Sequence, residues 1–127
     1  MLVVYFYYAD HMTRREHLGE LEQIVLLAVL RLDDDAYGVP IRLEIEDRTG
    51  RSLTVGALYR TLDRLEAKGY VTSWFGEPTA ERGGRSKRYF RVRPAGLRAL
   101  RASRDALTAM LEGLDPRGAR GVMTRGS

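Results

Sequence analysis

Cysteine is absent from the 127-residue chain, which excludes disulfides, thiolate metal centres and a cysteine nucleophile. The absence fits a reducing, cytoplasmic residence. Histidine is scarce: His11 and His17 stand alone, both ahead of the first strong helical pattern. His17 and Glu20 fall at helical spacing, but two ligands are too few for a metal centre. Neither a G-x-S-x-G turn nor a G-x-x-x-x-G-K-[ST] loop occurs, so the usual carriers of hydrolytic and nucleotide-dependent chemistry are missing. The expectation is a protein without catalysis, cofactor or resident metal. The apolar opening from Leu2 to Tyr8 is seven residues long, against about 20 needed to cross a bilayer, and it lacks the basic lead of a secretory signal. It reads as an extra strand, a sticky extension, or residues upstream of a start at Met12.

What is present describes one folded domain. Hydrophobic residues make up 44% of the chain and charged residues 30%. A chain this short has a modest core, and association with a second copy would add to it. The net charge is +4, and its arrangement says more than its size. Acids gather in "LDDDA" and "RLEIEDRTG", whereas Arg82 to Arg93 carries six Arg or Lys and no acid. Charge segregated in this way suits a polyanion; the alternative is an ordinary solvated face.

Four helical patterns and one hairpin pattern follow along the chain. In "LGELEQIVLLAVLRL", Leu18, Leu21, Ile24, Val25, Ala28 and Leu32 keep helical spacing, and Leu26, Leu27, Val29 and Leu30 extend the apolar surface almost all round. Such a helix is expected to be buried on several sides. A second helix runs from about Gly38 to Arg48, with Pro40 in its first turn and Gly50 placed to stop it. The third, "SLTVGALYRTLDRLEAKG", has Thr54 as an N-cap, a stripe of Leu58, Leu62 and Leu65, and Gly69 at a C-cap position. Tyr59, Arg60, Asp63, Arg64 and Lys68 then point mostly away from the leucines. "YVTSWFGE" and "KRYFRVRP" are two short strands joined by a basic, glycine-containing tip of Arg82, Gly83, Gly84, Arg85, Ser86 and Lys87.

Pro94 opens the last helix. Leu97, Leu100, Leu107, Leu111 and Leu114, with Arg104 between Leu100 and Leu107, fit the two seam positions of a heptad pattern. That seam suits a dimer partner; the alternative is an intramolecular core helix. Residues 115–127 are rich in Gly and Arg and are expected to be disordered.

Helix, helix, helix, hairpin, helix is the order of a winged helix-turn-helix, a mainly α (α+β) fold with a two-stranded β-wing. Residues 1–12 form an extension of uncertain membership, 13–93 the DNA-binding domain, 94–114 a C-terminal dimerisation helix and 115–127 a tail. The third helix enters the major groove. Glycines at the wing tip allow close approach to a phosphate, and its cations neutralise it.

From Leu18 to about Leu114 the chain resembles the PadR family of bacterial transcriptional regulators. The resemblance is carried by "LGELEQIVLLAVL", "AYGVPIRLEIEDRTG", "VGALYRTLDRLEAKGYV" and "GEPTAERGGRSKRYFRVRPAGLRAL", in this order and spacing. The short C-terminal part is similar to the subfamily with a single dimerisation helix. The resemblance implies a homodimeric repressor on a palindromic operator, near genes for detoxification or membrane transport and released by a small effector. It places Tyr59, in the pattern G-x-x-Y-x-x-L, near the DNA backbone, and matches Gly83 and Gly84 to the wing glycines. Members that bind flat aromatic drugs carry a tryptophan on the C-terminal helix. Here the single tryptophan, Trp74, lies in the first wing strand, so no inducer follows.

The expected DNA contacts are Thr54, Tyr59, Arg60, Arg64, Lys68, Arg82, Gly83, Gly84, Arg85 and Lys87. Arg60 and Arg64 are shaped for bidentate contact with guanine or phosphate, or else pair with Asp63 or Glu66. Thr54 either caps its own helix or meets a phosphate. Tyr59 is either a backbone contact or part of the core. Lys87 and Arg88 are adjacent on a strand and face opposite ways, so only one faces a given groove. A winged helix binding an acidic protein surface is the alternative function. Exposing Arg60, Arg64 and Lys68 on one side speaks against it.

Overall fold

The computed structural model describes residues 17–78 and 86–114. Four helices and one hairpin make up this part: α1 (Glu20–Leu32), α2 (Gly38–Thr49), α3 (Val55–Ala67), β1 (Val71–Phe75), β2 (Arg88–Val92) and α4 (Pro94–Leu111), with a single 3₁₀ turn at Asp33–Asp35. This is a winged helix, and the order expected from the sequence holds throughout.

Each helix is bounded by local chemistry. Gly19, preceding α1, has no side chain to cap with, and Glu22 Oε1 accepts its N–H at 2.9 Å. Gly50 ends α2 at φ 74°, in the left-handed region that glycine enters without a Cβ penalty. Thr54 Oγ1 accepts the Ala57 N–H at 3.0 Å and caps α3. The hairpin is antiparallel, with Val71 opposite Val92 and Phe75 opposite Arg88. Phe90 N–H donates to the Ala36 carbonyl, and Tyr37 bridges to Tyr89. The wing is thereby sewn to the start of α2.

The core lies where α1, α2, α3 and β2 converge. Val25, Leu26, Val29, Ile41, Ile45, Leu58, Leu62, Leu65 and Phe90 are all essentially closed to solvent. The leucine stripe of α3 is fully buried, each leucine contributing about 1.5–3 kcal/mol relative to exposure. Helix α4 docks on this unit only near its start. Gly96 packs so closely on the Tyr70 carbonyl that a Cβ there would lie 2.3 Å from the oxygen. Ala99 and Leu100 are buried just beyond.

As expected, helix α1 is buried on several sides, by α2, α3 and β2, while α4 covers its remaining face only in part and leaves Leu27 and Leu30 46% and 42% exposed. One detail differs from the sequence expectation. Helix α4 stops at Leu111, and Gly113 at φ 80° turns the chain, so Leu114 lies beyond the helix and not on its seam. No helix among the described residues is long and apolar enough to cross a membrane.

Candidate nucleic-acid interface

Among the described residues, five cations surround α3 and the root of the wing: Arg60, Arg64, Lys68, Lys87 and Arg88. Carboxylates sort them into two groups. Arg88 projects from the inner face of β2 onto α3, where Nη1 meets Asp63 Oδ1 at 3.1 Å and Nη2 meets Glu66 Oε2 at 3.0 Å. Its Nε donates to Ser73 Oγ at 3.2 Å, and that hydroxyl donates in turn to Glu66. Asp63 and Glu66 are thus occupied by the wing and not by Arg60 or Arg64. Lys68 Nζ lies 2.7 Å from Glu22 Oε2, and Arg64 Nε lies 3.6 Å from the same oxygen. Arg60, Arg64 and Lys68 therefore do not act as one free row.

Glu22 is buried, 7% exposed. Burial pushes its carboxyl up, but the Lys68 hydrogen bond, the Gly19 N–H and the charges of Lys68 and Arg64 outweigh that and hold it below the ordinary carboxylate range. It stays ionised at neutral pH.

Arg60 and Lys87 form the second group, and neither meets a carboxylate among the described residues. Arg60 is exposed on α3, its guanidinium reaching back towards Gly56, where a Cβ would stand 3.4 Å from it. Lys87 reaches the start of α2, its Nζ 4.6 Å from the centre of the Tyr37 ring. Between α2, α3 and the wing opens a cleft of about 420 Å³ lined by Tyr37, Gly38, Val39, Tyr59, Phe75, Ser86, Lys87 and Arg88. The N-terminal end of α2, the positive end of its macrodipole, borders it. Tyr59 is half-buried on the cleft wall, its ring centre 6.4 Å from that of Phe90. It is core and cleft at once, and it does not stand on the open face with Arg60. Thr54 Oγ1 caps α3 by accepting the Ala57 N–H. Arg82, Gly83, Gly84 and Arg85 lie outside the described residues. Trp74 stacks on Tyr89 on the outer face of the wing, centroids 6.0 Å apart.

The seam residues of α4 divide as sharply. Leu100 is buried and Leu97 half-buried against α1, whereas Arg104, Leu107, Leu111 and Leu114 face solvent. Arg104 and Leu107, with Leu27 and Leu30 of α1, line a groove of about 430 Å³ that also includes Gln23, Leu97, Leu100 and Arg101. No group of three His, Asp or Glu able to hold a metal occurs among the described residues.

Glu22 as the partner of Arg64 and Lys68 escaped the sequence reading. Its signal was there: a single carboxylate three and four residues before Val25 and Leu26, on the buried side of an apolar helix.

The PadR-like family of transcriptional regulators matches residues 26–102. The chain belongs to this family. A transcriptional regulator from Clostridium thermocellum is 25% identical, with a TM-score of 0.60 over 71% of this chain and 84% of that one. A PadR family transcriptional regulator from Eggerthella lenta is also 25% identical, with a TM-score of 0.57 over 87% of this chain and 92% of the other. An uncharacterised protein of Lysinibacillus sphaericus is 31% identical over 80 residues, 61% of this chain and 69% of its own length. PadR-like proteins are DNA-binding regulators of transcription and not enzymes, and this chain is a regulator of that kind.

Proposed function

We propose that this PadR-like regulator is a cytoplasmic homodimeric repressor that binds a palindromic operator and leaves it on meeting a small effector. The carrying observation is Arg60: alone among the three cations of the recognition helix, it meets no carboxylate among the described residues. An exposed, uncompensated arginine on a major-groove helix is the side chain best suited to the paired acceptors of guanine. Lys87 and the Tyr59 hydroxyl, beside the N-terminal end of α2, take phosphates. Arg82, Gly83, Gly84 and Arg85 extend that contact at the wing tip. Residues 13–93 make up the DNA-binding domain and residues 94–114 pair with a second copy.

The dimer reading rests on apolar surface. Leu107 on α4 and Leu27 and Leu30 on α1 are large, exposed and line one groove, and Leu111 and Leu114 further along the chain are exposed as well. A second copy crossing here covers them and sets two recognition helices at the spacing of successive major grooves.

Fluorescence anisotropy with labelled duplexes tiled from the DNA upstream of the protein's own gene, beside a scrambled duplex at several salt concentrations, tests the reading. Binding to one duplex at least ~10³ tighter than to the scramble is the expected result. Equal, weak binding to all of them contradicts it and favours an acidic protein surface as the wing's partner.

A further inference from the structure

Among the described residues, Glu22 is the one carboxylate acting on the recognition helix from outside the helix and its wing. It comes from the first turn of α1, 46 residues before Lys68. Its two oxygens divide the work. Oε1 is fixed by the Gly19 N–H, independently of α3, and Oε2 faces α3 and takes Lys68 at 2.7 Å and Arg64 at 3.6 Å. The carboxylate is nearly closed to solvent, while Arg64 keeps half of its side-chain surface and Lys68 a third. The anion is therefore built in and the cations are movable. Packing α1 against α3 does not need this arrangement, since an apolar residue of similar volume fills such a site at no desolvation cost. What a buried anion does and a leucine cannot is hold two cations by charge.

We infer that Glu22 is a specificity-determining residue: it withholds Arg64 and Lys68 from DNA phosphates, so that the recognition helix presents Arg60 alone and attraction to random DNA is held down. The inference rests on the DNA-binding reading above. Random binding is supplied by cations on phosphates, each adding about 0.9 to the slope of log affinity against log salt. On random DNA the protein settles wherever its cations meet phosphates, and two released cations raise that affinity in full. On an operator the base contact of Arg60 fixes the register, and the gain is smaller.

The test measures binding to a scrambled duplex across a salt series for wild type, Glu22→Gln, the double variant Glu22→Gln with Lys68→Gln, and Glu20→Gln. Glutamine keeps an acceptor for the Gly19 N–H. Glu20 is an exposed α1 carboxylate paired with Arg51, and it controls for net charge. Glu22→Gln is expected to steepen the slope by about 0.9 to 1.8. Each added cation then makes affinity fall about 3.5-fold more between ~50 and ~200 mM salt. The double variant loses at least half of that gain, and Glu20→Gln lacks it. An unchanged slope in Glu22→Gln, or the same change in Glu20→Gln, overturns the inference.

A second measurement needs only the wild-type protein. Lys68 and Lys87 are its only lysines, so acetylation read by mass spectrometry with and without DNA reports each separately. DNA is expected to protect Lys87 and leave Lys68 as reactive as before. Equal protection of both overturns the role of Glu22 and leaves the DNA face standing. Protection of neither removes the DNA face and the inference with it.

Discussion

Gly38 and Tyr59 are matched: a Cβ on Gly38 would lie 2.6 Å from the Tyr59 hydroxyl oxygen and 3.3 Å from the ring carbon bearing it. The missing side chain at the start of α2 is the room the tyrosine needs on the cleft wall. Gly38→Ala is expected to push the ring outward, costing about 1–3 kcal/mol of stability by overpacking and lowering affinity for operator and random DNA together. Tyr59→Phe leaves the packing intact and removes only the hydroxyl, a loss of about 1.5–3 kcal/mol if that group bonds a charged phosphate. Thermal melts and anisotropy on both variants check the pair; Tyr59→Phe with wild-type affinity would return Tyr59 to the core alone.

Gly96 against Tyr70 is a less forgiving contact, because the atoms in the way are backbone: the carbonyl oxygen at 2.3 Å, its carbon at 3.0 Å and the Cα at 3.1 Å. The same oxygen accepts the Arg93 N–H at 2.8 Å, so the start of α4 is pinned to the exit of α3. Gly96→Ala is expected to cost at least about 1–3 kcal/mol in denaturant unfolding. Wild-type stability would mean that α4 docks elsewhere.

Leu107 is 59% exposed, so Leu107→Glu leaves the fold of the single chain intact. If the α1–α4 groove is the dimer seam, the variant sediments as a monomer with an unchanged circular dichroism spectrum, and it loses tight operator binding. A variant that stays dimeric would place the interface elsewhere.

The carboxyl of Glu22 is held below its ordinary range in the folded protein. Its ionised form therefore stabilises the fold at neutral pH, and this contribution is lost as pH falls through the depressed folded value. Melting temperatures of wild type and Glu22→Gln are expected to differ at pH 7 and to converge in acid, below the ordinary value of 4.5. A gap that persists unchanged in strong acid would assign the effect to packing instead of charge.

The fold was largely legible because its signals are local. Thr54, Gly50 and Gly69 sit at helix ends where their own chemistry is needed, and Leu58, Leu62 and Leu65 keep the helical period of a buried stripe. Pairing across the chain was not legible. Arg60, Arg64 and Lys68 look alike on a helical wheel, and only the arrival of Glu22 from α1 separates them. In the same way, nothing near Asp63 and Glu66 foretells that Arg88, 25 and 22 residues further on, takes both. The α4 seam reads as one stripe in sequence, yet its first half faces this chain's own α1, because Gly96 lets the helix close in only at that end.

The measurement that bears most directly on the account is the ratio of operator to scrambled-duplex affinity in wild type and Arg60→Ala, with Lys87→Ala alongside. If Arg60 reads a base edge, Arg60→Ala weakens operator binding by roughly 1–3 kcal/mol and leaves the scrambled duplex nearly unchanged, while Lys87→Ala weakens both and lowers the salt slope by about one. Equal losses from both variants on both duplexes would contradict it, reducing Arg60 to one more phosphate contact.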